Sequence, residues 1–158
     1  MAVGYNSGGT EATGEDMQVF TIGYQGRRLD ELTQTLQKND VDIVLDVREY
    51  AWSRKPGFSK GQLKRALEDA GIDYLHDSRL GSPLDLRKAY RAGGEWAQFR
   101  LGYIDHLGSL IGLIGDYVSL LSGRRVCLLC FEGEASLCHR SLIADAFEGI
   151  LASTPCHL

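Results

Sequence analysis

The chain has 158 residues, 44% hydrophobic and 24% charged, a size and mixture that build one compact domain burying roughly two-thirds of the surface its unfolded form exposes. No apolar run reaches the ~20 residues of a membrane span; the nearest, Leu101 to Leu121, is broken by Asp105, His106 and Asp116, so no membrane partner is expected. Seventeen basic against 21 acidic residues leave a formal charge of −4, which argues against a protein that coats nucleic acid.

Residues 1–17 are rich in Gly, Ser, Thr and acidic side chains without periodicity and read as a disordered tail. Glu11, Glu15 and Asp16 stand where a secretory leader needs a basic start and an apolar middle, so the expected location is cytoplasmic. A single domain is expected over 18–152. Val19-Phe20-Thr21-Ile22 reads as a strand stopped by Gly23, and Leu29, Leu32 and Leu36 then recur at helical spacing with Asp30 and Glu31 in the first turn. Val41 to Val47 is nearly continuous aliphatic sequence, the pattern of a strand buried on both faces of a parallel sheet. A polar loop follows from Arg48, and Ser59 or Lys60 opens a second helix that Gly71 ends.

Residues 72–76 alternate as a third strand, and 79–94 are irregular or short-helical. Phe99, Tyr103, Leu107, Leu110, Ile114, Val118 and Leu121 keep helical spacing across Gly108, Gly112 and Gly115, which predicts two helices or one kinked one. Val126 to Phe131 is a second all-apolar strand, followed by a loop, a final helix and a C-terminal tail at 153–158. Strands alternating with helices imply right-handed crossovers, hence a single-domain, three-layer Rossmann-like α/β fold with a small, mainly parallel sheet and helices on both faces.

In such a sheet ligands bind beyond the carboxyl ends of the strands, which selects the loops after Gly23, Val47 and Cys130. Charge is uneven: residues 48–65 carry +5 and 79–100 carry +3. Basic runs are usually solvated faces, and these matter only if they converge. The loop after the second strand presents Arg48, Ser53 and Arg54 beside the Pro56-Gly57 turn, with Tyr24 supplied by the first loop; guanidinium forks and hydroxyls are the donors an anionic group needs. Lys55 and Lys60 read as solvated side chains. Asp46, at the strand end, and Glu132 and His139, in the last loop, are candidates to move protons.

Four cysteines, Cys127, Cys130, Cys138 and Cys156, are too few and too clustered for a disulfide framework. Cys130 falls at the mouth of the sheet and Cys138, His139 and Arg140 at the start of the last helix, where the dipole and a cation would stabilise a Cys138 thiolate. Cys127 and Cys130, three apart on a strand, point to opposite faces, which makes Cys127 a core residue. Cys156 and His157 read as incidental.

Thr21-Ile22-Gly23-Tyr24, Asp46-Val47-Arg48, Ser53-Arg54 with Pro56-Gly57-Phe58-Ser59, Gly71-Ile72-Asp73-Tyr74, Leu80-Gly81 and Cys130-x-Glu132 followed by Cys138-His139-Arg140 together resemble the domain-of-unknown-function family 488 of bacterial and archaeal proteins, over about Val19 to Leu151. The chain departs from that pattern at Ala51-Trp52 and at Ala135-Ser136-Leu137. The resemblance implies the fold and the site rather than a reaction.

Three functions follow from these residues. The first is an enzyme or binder for a small anionic or nucleotide-like substrate, with Arg48, Ser53, Arg54, Arg140 and Tyr24 on the substrate and Cys130, Glu132, Cys138, His139 and Asp46 at the chemistry. Its cofactor is left open, and the sequence requires none. The second is a transition-metal site, zinc for example, or a thiol-redox site, built from Cys130, Cys138 and His139. The third is a nucleic-acid-binding module using the two basic segments, which the net acidity opposes.

Overall fold

The computed structural model describes residues 17–151 and 153–158. The tail expected over 1–17 lies outside the described residues except for Met17, which is fully buried in the core. The elements in chain order are β1 (Gln18–Gly23), α1 (Leu29–Lys38), β2 (Ile43–Asp46), α2 (Lys60–Asp69), β3 (Asp73–His76), α3 (Leu84–Arg91), α4 (Trp96–Gly108), α5 (Ile111–Leu120), β4 (Arg125–Cys130), α6 (His139–Leu151) and β5 (Cys156–His157). The strands form one sheet in the order β3-β2-β4-β1-β5, every neighbouring pair parallel.

The chain lays down β1, β2 and β3 toward one edge, then reverses to β4 and β5. Right-handed crossovers require the covering helices to change face at that reversal, and they do. Leu32, Leu36, Leu63 and Leu67 of α1 and α2 pack with Cys127 and Leu129 on one face of the sheet. Phe99, Tyr103, Ile114, Tyr117, Leu142 and Phe147 of α4 to α6 pack with Val126, Leu128 and Cys130 on the other. The period of two along β4 therefore separates Cys127 from Cys130, as the sequence requires. Each such leucine or isoleucine contributes about 1.5–3 kcal/mol on burial. Among the described residues no helix is long and apolar enough to cross a membrane.

The C-terminal segment 153–158 is not a loose tail. Cys156 and His157 pair with Phe20 and Thr21 of β1, Leu158 N–H donates to the Thr21 carbonyl at 2.8 Å, and Thr21 Oγ1 lies 2.6 Å from His157 Nδ1. The short strand satisfies backbone groups that β1 would otherwise present as an open edge.

Past β3, Asp77 ties the sheet to α5: its carboxylate accepts from Arg79 Nη2 at 2.6 Å and from the Tyr117 hydroxyl at 2.7 Å. The Arg79 hydrogen bond, outweighing burial, lowers the Asp77 pKa to about 2 from an ordinary 3.8. A depressed carboxyl stabilises the fold above its unfolded value and loses that contribution as pH falls through the folded one. Asp77→Asn is therefore expected to cost about 2 kcal/mol at pH 7, with the gap between variant and parent closing between about pH 4 and pH 2 in urea unfolding. A gap independent of pH would contradict the assignment.

Candidate functional site

Register brings the ends of four strands level: Gly23 of β1 sits beside Cys130 of β4, and Asp46 of β2 beside Leu129 of β4 and His76 of β3. β2 and β4 are neighbours whose following loops run to opposite sides, which is the switch point where an α/β sheet opens a crevice. A cleft of about 660 Å³ lies there, lined by Tyr24 after β1, by residues 48–50 and 52–55 after β2, by Cys130 to Glu132 and Leu137 to His139 after β4, and by Tyr90, Arg91, Trp96 and Phe99 from α3 and α4.

Beneath one side is a fully buried ion pair. Arg48 Nε and Nη2 donate to the two Asp46 oxygens at 2.8 and 2.6 Å. Arg48 Nη1 donates to the Tyr24 hydroxyl at 3.1 Å and to the Phe58 carbonyl at 2.8 Å, and the Tyr74 hydroxyl donates to Asp46 at 2.6 Å. Burial and the Asp46 charge together push the Tyr74 phenol well above its ordinary value. Arg48 and Asp46, expected as anion binder and proton carrier, direct their polar groups to each other, to the Tyr24 and Tyr74 hydroxyls and to the Phe58 carbonyl. Tyr24 lines the cleft with its ring stacked on Phe58 at 4.5 Å.

At the centre stand two thiols, a carboxylate and an imidazole. Cys130 Sγ and Cys138 Sγ donate to the same Glu132 oxygen at 3.1 and 3.3 Å, and each sulfur lies 3.9 Å from His139 Nδ1. His139 Nε2 is 3.0 Å from the Val47 carbonyl oxygen, an acceptor that assigns the Nε2 hydrogen and turns Nδ1 toward the sulfurs. Cys130, Cys138 and His139 are buried. Burial, then the hydrogen bond with Cys130, raises the Cys138 thiol well above its ordinary pKa, while His139 acts in the opposite direction. Burial raises Glu132, but hydrogen bonds led by Cys130 outweigh it and leave the carboxyl below its usual value.

Arg140 is the clearest departure. Its side chain, 1% exposed, does not line the cleft; it donates to the Glu132 carbonyl and, at 3.2 Å, to the Gly133 carbonyl, fastening the loop that carries Glu132. That loop also rests on β1, where a Cβ on Gly23 would lie 1.7 Å from the Glu132 carbonyl oxygen.

Both basic segments do reach one place. Of the lining cations, Arg48 is held by Asp46, Arg87 by Glu49 at 2.6 Å, and Lys55 donates to the Tyr24 carbonyl at 3.0 Å. Arg54 and Arg91 line the cleft exposed, and among the described residues neither makes an ion pair. Ser53 braces the loop, its backbone N–H donating to Ser59 Oγ at 3.1 Å and its hydroxyl accepting from Lys55 N–H at 3.1 Å. The sequence reading missed the α3–α4 wall: Trp96 stacks on Phe99 at 5.2 Å, and Trp52, 67% exposed, stands at the lip. The +3 charge of 79–100 was the signal for that wall.

The family model described as Domain of unknown function DUF488 matches residues 28–147, most of the chain and all of these site segments except Gly23 and Tyr24. No curated protein and no solved structure matches the chain.

Proposed function

The chain belongs to the Domain of unknown function DUF488 family, and from that footing we propose that it binds and acts on a small anionic, ring-bearing molecule of nucleotide-like chemistry in the cleft between β2, β4 and α3–α4. The observation that carries the reading is convergence: two basic segments far apart in sequence place Arg54 and Arg91 in the same cleft as exposed Trp52 and the Cys130–Glu132–Cys138–His139 cluster. The guanidinium groups supply charge-assisted donors for an anion. The aromatic wall supplies faces for a ring, and the cluster meets the reacting end. Glu132, held as a carboxylate, is the group placed to take a proton there. A reducing cytoplasm is the setting that keeps its two thiols available.

The experiment is a calorimetric titration of metal-free protein with mononucleotides, sugar phosphates and pyrophosphate. Saturable binding is expected for at least one, with affinity reduced about tenfold by Arg54→Ala or Arg91→Ala, the value of one charge-assisted hydrogen bond. Equal affinity in a folded Arg54→Ala/Arg91→Ala double variant would sink the reading.

A further inference from the structure

We propose that Cys130, Cys138 and His139 form a transition-metal centre of zinc type at the floor of the cleft, with the half-buried Glu132 carboxylate beside the two sulfurs to complete it.

Among the described residues, Cys130, Cys138 and His139 are the group whose donor atoms all lie within 4.8 Å of one another. Glu132 brings a carboxylate oxygen to within 3.1 and 3.3 Å of the two sulfurs. A tetrahedral ion with bonds of about 2.3 Å to sulfur and about 2.0 Å to nitrogen sets sulfur-to-nitrogen edges of about 3.5 Å. The 3.9 Å separations of both sulfurs from His139 Nδ1 are close to that edge. Each donor comes from a differently anchored piece of chain: Cys130 ends β4, Glu132 is fastened through its loop by Arg140, and Cys138 and His139 lead into α6. The imidazole is oriented from behind by the Val47 carbonyl at 3.0 Å, the second contact that metal-bound histidines almost always make.

The competing chemistry for two neighbouring thiols is a disulfide, and the surroundings disfavour it. Oxidation removes both S–H donors and leaves the shared Glu132 oxygen facing sulfur lone pairs, and among the described residues Glu132 has no cationic ion-pair partner. A divalent ion satisfies all four groups together. Two S–H bonds break, two sulfur–metal bonds form, two protons go to solvent and no oxidation state changes. Two thiolates with an imidazole select zinc-like ions over magnesium or calcium, which take oxygen donors. The inference shares the cleft of the proposed function, but not its test, because the anion titrations use metal-free protein.

The test is titration of the reduced, chelator-treated full-length chain with Co²⁺, followed by displacement with Zn²⁺. Expected are one ion per chain, thiolate-to-cobalt absorption in the near ultraviolet, intense tetrahedral bands in the visible, and bleaching by zinc. Cys130→Ser or Cys138→Ser should weaken binding by about a hundredfold or more, while Cys156→Ser, altering an exposed thiol, leaves it unchanged. As a readout independent of variant folding, zinc should protect two of the four thiols of the parent chain from alkylation. Absence of a saturable cobalt band in folded parent protein overturns the proposal. So does cobalt binding that survives in folded Cys138→Ser, or a Cys130–Cys138 disulfide that forms and persists in the presence of zinc.

Discussion

Asp46→Ala is expected to remove about 3–5 kcal/mol of folding stability, because it strands a buried guanidinium. Asp46 is fully buried and Arg48 only 6% exposed. Burial opposes the Arg48 charge, yet Asp46 outweighs it and holds the guanidinium more firmly protonated than usual. Without the carboxylate, Arg48 Nε and Nη2 lose their acceptors and the Tyr74 hydroxyl loses its own. The loss is a large share of the ~5–15 kcal/mol that a domain has in total, so in urea the midpoint should fall steeply or the variant should not accumulate. Asp46→Leu/Arg48→Met, which removes both charges, is expected to recover a substantial part of the loss, since replacing a buried pair by apolar groups is often close to neutral. A single variant that loses less than about 1 kcal/mol would show that the pair is not the anchor of the loop after β2.

The sequence carried this pair in plain form. Asp46 and Arg48 are two apart at a strand end, so period-two geometry puts them on one side, and a short bidentate bond follows. The residue types alone fit both a functional pair and a structural one, and it is burial that sets Asp46 and Arg48 against each other. Arg140 shows the opposite case. His139 and Arg140 are consecutive on α6, so their side chains diverge by about 100° around the helix; one enters the cleft and the other passes under the loop to the Glu132 carbonyl. Which one enters depends on how α6 is rotated against β4, and that is set by Leu142, Ile143 and Phe147 in the core rather than by the Cys-His-Arg motif. The strands that alternate or run apolar were legible because their period is local. β5, only two residues long and directly after Pro155, has no period to read. The α3–α4 wall was hidden for a related reason: Arg91 and Trp96 become part of the site only through tertiary packing.

Gly23→Ala is expected to damage the metal centre and the fold together, without touching a ligand. A Cβ there meets the Glu132 carbonyl oxygen at 1.7 Å and its carbon at 2.5 Å. Both are backbone atoms that cannot rotate aside, and both lie well inside the 3.0 Å that Cβ contacts essentially never breach. Retreat is difficult on either side. Tyr24 N–H donates to the Cys130 carbonyl at 3.2 Å and Gln25 N–H to the Phe131 carbonyl at 2.8 Å, so the loops after β1 and β4 are zipped together, and Arg140 holds the far side. The expected result is a stability loss of about 3 kcal/mol, the upper end for overpacking. Cobalt affinity should fall at least as far as for Glu132→Ala, because Glu132 must move away from both sulfurs. Gly26→Ala supplies the comparison: Gly26 has φ +74° but open space around it, so alanine there costs about 1 kcal/mol in backbone strain and should leave cobalt binding intact. The pair of variants separates strain in the first loop from displacement of the last. If Gly23→Ala bound cobalt like its parent while Gly26→Ala did not, the close packing of β1 against Glu132 would not be what sets the geometry of the centre.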